Sequence, residues 1–402
     1  MLYTLIGIPI ILYLGYIIKY AVNVPRQDDY DAILGFLIQY KQTPGDDKLA
    51  LLFGQHNEHR IFSSRLVYAL YYQLTGSINF RHLIFIDAVW LVGLFLVMAG
   101  FIRRIVPQQW PIGVLVLSMC LFDLNNYENM NFAMAGMQNF AILLLFSGAM
   151  WGYGTQKTGG IAIGALLQAM AVFSSGNGLL GAFFLVLYTI LMRHKAGIIT
   201  SVAVSVIAIS LYYVNYQKVG GNFFTSDPQK FIPYFMHCLG AHFNKELGVV
   251  AAVLMLLAML LLIPVQRWLR FDRATLPLVI TLGFLVASVG VIALFRGNLP
   301  LDTAYSSRYF IYSHLITTIL FVLYLYKYRN KDVRVATGAI MALMLFVAIR
   351  NYNDGSKMLP GFSYVTSTSD FDYPDKERAK KITEEACNMS IYCIDQHRIK
   401  IQ

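Results

Sequence analysis

Apolar runs of the length that crosses a hydrocarbon layer, roughly 17–25 residues, recur from one end of this chain to the other. No other feature constrains the fold as strongly. In lipid, backbone donors and acceptors must be satisfied within a helix or a closed barrel. The runs are continuously apolar and lack the alternation of barrel strands, so they read as helices. Only 13% of the residues are charged and 57% are hydrophobic, against about 25% charged in a soluble domain. The expected fold is all-α and polytopic, with about 11 spanning helices over 2–22, 80–101, 111–124, 139–154, 159–174, 178–192, 196–216, 247–264, 273–295, 308–326 and 333–350.

The net charge of +10 does not point to nucleic acid, because its carriers sit in short clusters between apolar runs. Arg103 with Arg104, Lys157, Arg193 with Lys195, the group Arg267, Arg270 and Arg273, and the group Lys327, Arg329, Lys331 and Arg334 fall in alternate gaps. The positive-inside rule assigns that face to the cytoplasm. The N-terminus then lies inside, and the chain divides into a membrane domain, 1–350, and a small outer tail, 351–402. The first run has no basic flank and no small-residue cleavage site, so it reads as a retained helix.

The segment 57–76 is expected to lie at the outer interface as an amphipathic helix, with Tyr68, Tyr71 and Tyr72 at headgroup level. Counting it as a span would move Arg103 and Arg104 outside. The segments 28–41 and 227–243 are expected to be further interfacial helices. Cys120 and Cys238 are isolated packing residues, whereas Cys387 and Cys393 are placed to pair if the tail meets an oxidising compartment.

With these crossings, five segments share the outer face: 23–79, 124–138, 174–178, 217–246 and 296–307. They hold nearly all the polar constellations that are not simply basic. In "RQDDYD", Asp28 or Asp29 is placed to take a proton from a hydroxyl, while its neighbour orients it or holds a divalent cation. The same letters also fit a solvated helix start with an aspartate cap. In "QHNEHRIFSSR", His56, Glu58, His59, Arg60 and Arg65 crowd one boundary, where charges pair locally or bind something. A helix there would align Glu58, Phe62 and Arg65 on one face, with Phe62 facing lipid. His56 and His59 are three apart, but no further ligand supports zinc, so no metal site is assigned. In "DLNNYENMNFAMAGMQNF", Glu128, Asn131 and Gln138 offer donors and acceptors that suit hydroxyl-rich ligands or a capped turn. Arg296 and Arg308 bracket the last outer loop, where a guanidinium fork fits phosphate oxygens or snorkels to headgroups. Lys245, His237 and His242 add to this cationic side.

Carboxylates, amides and arginines beside lipid suit transfer of a sugar from a lipid phosphate. An N-terminal spanning helix, an outer loop with an acidic pair and interfacial helices, and many further helices resemble the GT-C superfamily of membrane glycosyltransferases. The stretches "QHNEHRIFSSRL", "NNYENMNFAMAGMQN", "SSGNGLL" and "RGNLPLDTAYSSRYF" look like motifs of a bacterial multispanning family tied to surface polysaccharide. The layout is similar to bacterial serotype-converting O-antigen glucosyltransferases over most of 1–350. That resemblance implies a multi-pass protein of the bacterial cytoplasmic membrane, with its site facing the periplasm. It implies a polyprenyl-phosphate-linked sugar donor, a surface-glycan or lipid-linked acceptor, inverting transfer and contact with membrane lipid. It places Asp28 or Asp29 at the catalytic acid position of the first outer loop and Glu58 and Glu128 at further acidic positions. Arg296 and Arg308 match its phosphate-binding region. Rival functions are a transporter or flippase of lipid-linked sugar, a glycan polymerase or ligase, and a non-catalytic assembly subunit. A transporter would thread polar residues through its helix centres, and here Asp87 stands alone, near one helix end.

Overall fold

A computed structural model describes residues 2–218, 224–263, 265–266, 270–365 and 372–394. The expected Arg267 and parts of the outer tail lie outside these residues. The chain is an all-helical polytopic assembly, with only two-residue strand pairs among the described residues.

Helix α1 is Leu2–Tyr20. A π-turn over Tyr30–Gly35 leads into α2, Phe36–Gln42, followed by α3, Lys48–Leu52. Strands β1, Gln55–His56, and β2, His59–Arg60, form a small hairpin before α4, Phe62–Thr75. Next come α5 (Phe80–Ile105), α6 (Trp110–Leu121) and the short α7 (Tyr127–Asn131). They are followed by α8 (Ala133–Gly154), α9 (Thr158–Val172), α10 (Asn177–Met192) and α11 (Lys195–Tyr213). The chain continues with α12 (Pro228–Leu239), α13 (Asn244–Leu262), the pair β3 (Val265–Gln266) and β4 (Arg270–Phe271), and α14 (Leu276–Arg296). Helices α15 (Phe310–Lys327), α16 (Arg334–Val365) and α17 (Lys376–Asn388) complete it.

Eight helical stretches among the described residues are long and apolar enough to cross a membrane. Helices α9 and α10 are apolar but shorter. Helices α8 and α15 form the centre, buried on nearly every side. By contrast, α1, α13 and α16 turn large apolar residues outward, among them Ile11, Leu260 and Phe346. Long helices with exposed leucine and isoleucine fit a lipid-facing surface, because intrahelical bonding leaves side chains free to meet hydrocarbon. Between α8 and α9 the backbones nearly touch: a Cβ on Gly152 would lie 2.6 Å from the Gly160 carbonyl oxygen. Polar side chains tie the same helices together. Gln168 accepts from the Tyr153 hydroxyl at 2.6 Å and donates to the Ser201 carbonyl on α11 at 2.9 Å. Small residues for close approach and buried amides as cross-links are the usual means of joining helices where lipid removes the hydrophobic drive.

The two ends of the bundle differ in character. At one end Arg104 lies over the Trp151 ring at 3.5 Å, the Tyr326 hydroxyl donates to Asp272, and Tyr3 packs on Trp110. At the other end hydrogen bonds join the five polar segments. The Met134 amide donates to Asp29 at 2.9 Å, Gln138 donates to Ser175 at 3.3 Å, Ser306 donates to Glu128 at 2.8 Å, and Tyr234 meets Thr303 at 3.0 Å. The expected common face of these segments is therefore a feature of the fold.

Four local expectations change. The chain over 57–61 is hairpin, and α4 starts only at Phe62. Glu58, Phe62 and Arg65 consequently share no helix face, and Phe62 stacks on Phe53 at 4.3 Å. Tyr68 is fully buried among protein side chains, while Tyr71 and Tyr72 are half-buried. The segment 28–41 is helical over most of its length, as expected, but Ile33, Leu34, Phe36 and Leu37 are buried against protein. Finally, α16 does not stop at 350. It continues to Val365, so the start of the expected tail is helix. The tail proper docks on the first polar segment. Arg378 pairs with Asp31 at 2.6 Å, and the Ile78 amide donates to the Ile391 carbonyl at 2.8 Å. Cys387 and Cys393 form a disulfide.

Candidate functional site

The two neighbouring aspartates have different surroundings. Asp29 is 1% exposed, and both its oxygens are engaged. Oδ2 accepts from the Arg26 amide at 3.0 Å and Oδ1 from the Met134 amide at 2.9 Å. Met134 lies in the first turn of α8, so Asp29 caps a helix from outside its own segment, where free amides and the helix dipole favour an acceptor. Burial nevertheless pushes its carboxyl up to about 8, against the lowering pull of the two amides. Asp28 is half-buried, and its carboxylate takes part in no hydrogen bond or ion pair among the described residues. It lies within electrostatic reach of His56, His59 and Arg308.

Arg296, at the end of α14, and Arg308, just before α15, converge on one aromatic ring. Their guanidinium carbons lie 5.2 and 5.5 Å from the centre of Tyr309. Both arginines are half-buried, and neither forms an ion pair among the described residues. The turn that presents Arg308 is held by Glu128. One Glu128 oxygen accepts from the Ser306 hydroxyl at 2.8 Å, the Ser307 hydroxyl at 3.1 Å and the Arg308 amide at 2.9 Å. Asn129 adds a bond to the Arg308 carbonyl at 3.1 Å, and Asn139 in turn donates to Asn129 at 3.0 Å. The Arg308 backbone is thus fixed from α7 independently of its side chain.

The hairpin contributes the imidazoles. His56 is buried, and burial lowers its pKa to about 4. His59 is also lowered, first by burial and then, against the raising pull of Glu58, by the Arg296 charge. Both rings are neutral near pH 7. His59 lies so close to the start of α10 that a Cβ on Gly176 would meet its Nδ1 at 2.8 Å. Glycine at 176 is what admits the ring. His59 interacts electrostatically with both Arg296 and Asp28, which joins the acidic loop and the arginines into one constellation.

Several expected site residues do other work. Arg60 is buried and donates to the carbonyls of Phe53, Tyr212 and Val214. It fastens the hairpin to the end of α11 with three of its five N–H donors. Arg60→Met is expected to destabilise the fold by about 3 kcal/mol, since it strands several carbonyls at once; the midpoint of thermal unfolding in detergent measures this. Lys245 pairs with Asp302 at 2.5 Å on an exposed surface. Its charge is matched by that carboxylate in solvent, where such a pair contributes little. Lys245→Ala is expected to leave both stability and any transfer rate unchanged, measured side by side with wild type. His237 meets the Tyr305 hydroxyl at 2.5 Å, and His242 is buried. Asn131 donates to the Tyr127 carbonyl within its own turn at 3.1 Å, and Gln138 to Ser175 at 3.3 Å. Glu58 presents its backbone carbonyl to the Tyr216 hydroxyl at 3.3 Å, with its side chain half-buried beside His59. A surface hollow of about 460 Å³ on α16, lined by Phe346, Ile349 and Arg350, contains none of the site residues.

The sequence reading missed two groups. Tyr309 was read only as part of a motif, although it is the surface on which both arginines rest. Asp123, His242 and His314 come together as a buried cluster; their wide separation along the chain hides any ligand spacing. No protein-family model and no curated protein matches this chain.

Proposed function

We propose that this protein is an inverting glycosyltransferase that moves a sugar from a polyprenyl-phosphate donor to a glycan or lipid-linked acceptor at the non-cytoplasmic surface of a bacterial inner membrane. The observation that carries the reading is the pair of guanidinium groups that flank Tyr309 and form no ion pair among the described residues, Arg308 Nε donating only to the Ser306 hydroxyl at 3.2 Å there, with the Asp28 carboxylate, which bonds to nothing among those residues, within electrostatic reach of Arg308. A disulfide in the tail that docks on this same end fits an oxidising compartment.

In this mechanism Asp28 takes the proton of the acceptor hydroxyl as that oxygen attacks the anomeric carbon. The bond from that carbon to the phosphate oxygen breaks, and its electron pair leaves with the phosphate. Arg296 and Arg308 stabilise the negative charge that builds on the departing polyprenyl phosphate. Neutral His56 and His59, with Glu58 beside them, line the space where sugar or acceptor sits. Glu128 and Asn129 act by positioning Arg308. Asp29 caps α8 and is not the base, because neither of its oxygens is free to meet a substrate.

The test is incubation of purified protein with a polyprenyl-phosphate monosaccharide and, separately, with a polyprenyl-diphosphate glycan. Release of polyprenyl phosphate with sugar on the acceptor supports the reading. Turnover of the diphosphate glycan alone would make the protein a polymerase or ligase. Uptake of either lipid across a vesicle wall without bond cleavage would make it a flippase.

A further inference from the structure

We propose that Asp123, His242 and His314 bind a single first-row divalent cation, with zinc the best match to the donor set. The three residues come from separate parts of the chain. Asp123 follows α6, His242 lies in a 3-10 turn between α12 and α13, and His314 is in the second turn of α15. They are 4%, 1% and 0% exposed. One carboxylate oxygen, Oδ2 of Asp123, faces His314 Nε2 at 3.5 Å and His242 Nδ1 at 4.0 Å. All three ligand atoms lie within 4.8 Å of one another.

Two observations point to a ligand here. The first is spacing. In a tetrahedral site with metal bonds of about 2.0–2.2 Å, ligand atoms stand roughly 3.3–3.6 Å apart. The Asp123–His314 distance already matches, and a modest inward movement of His242 completes the set. The second is unmet hydrogen bonding. His314 Nε2, both nitrogens of His242 and Oδ1 of Asn126 are buried without a partner. Such atoms are rare in folded proteins, and two of them, His314 Nε2 and His242 Nδ1, face the same Asp123 oxygen. Two imidazoles and one carboxylate are a common set for zinc, leaving a fourth position open.

The surroundings supply the outer contacts that metal sites use. Asn351 on α16 donates to Asp123 Oδ2 at 2.7 Å and to the His242 carbonyl at 3.1 Å. The Asn125 amide holds the other Asp123 oxygen at 2.9 Å. The Asn126 side chain stands 3.2 Å from His314 Nδ1. With its oxygen turned to that nitrogen, Asn126 accepts the Nδ1 proton and leaves the Nε2 lone pair for a cation. That arrangement fixes the tautomer and also satisfies the Asn126 oxygen. The cation would tie the end of α6, the turn before α13 and α15 into one unit. The proposal does not depend on the transferase reading.

The experiment uses the full chain, purified through a tag without histidine, stripped with a chelator and then given Zn²⁺ or Co²⁺ alone. One metal per chain, the visible absorption of a low-symmetry cobalt site, and scattering from two imidazoles by X-ray absorption are the expected results. Asp123→Asn, His242→Gln and His314→Gln should each abolish stoichiometric binding. Asn351→Leu, which leaves all three ligands, should weaken binding about 10–100-fold. Folded wild-type protein that takes up no metal overturns the proposal even if the ligand variants fail to fold. Binding that survives the ligand substitutions overturns it as well.

Discussion

Asp28→Asn is expected to reduce sugar transfer by about 10²–10⁴-fold, the usual contribution of a positioned general base, with no change in the thermal unfolding midpoint. The Asp28 carboxylate is half-buried and bonds to nothing among the described residues, so an amide in its place strands no partner. Asp29→Asn should do the reverse. Asp29 accepts from two backbone amides, Arg26 and Met134, and an asparagine can oppose only one of them with oxygen. The other amide then faces an NH₂ group in a buried site, at a cost of about 1–3 kcal/mol. Activity per folded molecule should survive. Transfer that persists in Asp28→Asn and vanishes in folded Asp29→Asn would reverse the assignment.

The same pair differs in its pH signature. Burial raises the Asp29 carboxyl to about 8, above an unfolded value of about 3.9. Between those values the unfolded chain has released a proton that the folded chain still holds. The linkage slope is then negative: this group favours the fold fully below about pH 4 and loses that contribution progressively as pH rises to about 8. Unfolding midpoints across that window should fall with pH in the wild type, and the Asp29 part of the slope should be missing in Asp29→Asn. Asp28→Asn should keep most of it, since burial is the largest cause of the shift and the Asp28 charge a smaller one.

Arg296→Ala and Arg308→Ala are each expected to lower kcat by about 10²–10³-fold, the scale seen when one preorganised donor to developing charge is removed. In the proposed reaction the donor would be a phosphodiester with one negative charge, and the leaving polyprenyl phosphate would acquire a second as the glycosidic bond breaks. The arginines therefore matter more in the transition state than in the bound ground state, and kcat should fall more than KM rises. Arg308→Lys should not rescue, since an ammonium lacks the planar fork. The loop should keep its shape in these variants because Glu128 and Asn129 hold the Arg308 backbone. Unchanged kcat in both alanine variants, with intact unfolding profiles, would remove the phosphate role.

The helical, membrane-spanning character was legible in the sequence, and so was the gathering of polar segments at one end. Both follow from local transfer free energy: a run of leucine and isoleucine seeks hydrocarbon whatever its neighbours, and lysine or arginine beside it does not cross. Arg296 and Arg308 were also legible, because an arginine at the end of an apolar run is confined to the boundary. Tertiary structure alone decided what each polar residue does. Asp28 and Asp29 are the same residue one position apart, and only the start of α8 packing onto one of them makes it a cap. Arg60 looked free until the carbonyls of Phe53, Tyr212 and Val214 surrounded it, and Lys245 until Asp302 came beside it. Asp123, His242 and His314 carry no common sequence signal; helix packing brings them together. Where a side chain goes between water and lipid is set by its own chemistry. What it does there depends on which donors and acceptors remain unpaired, and that is known only once distant segments have met.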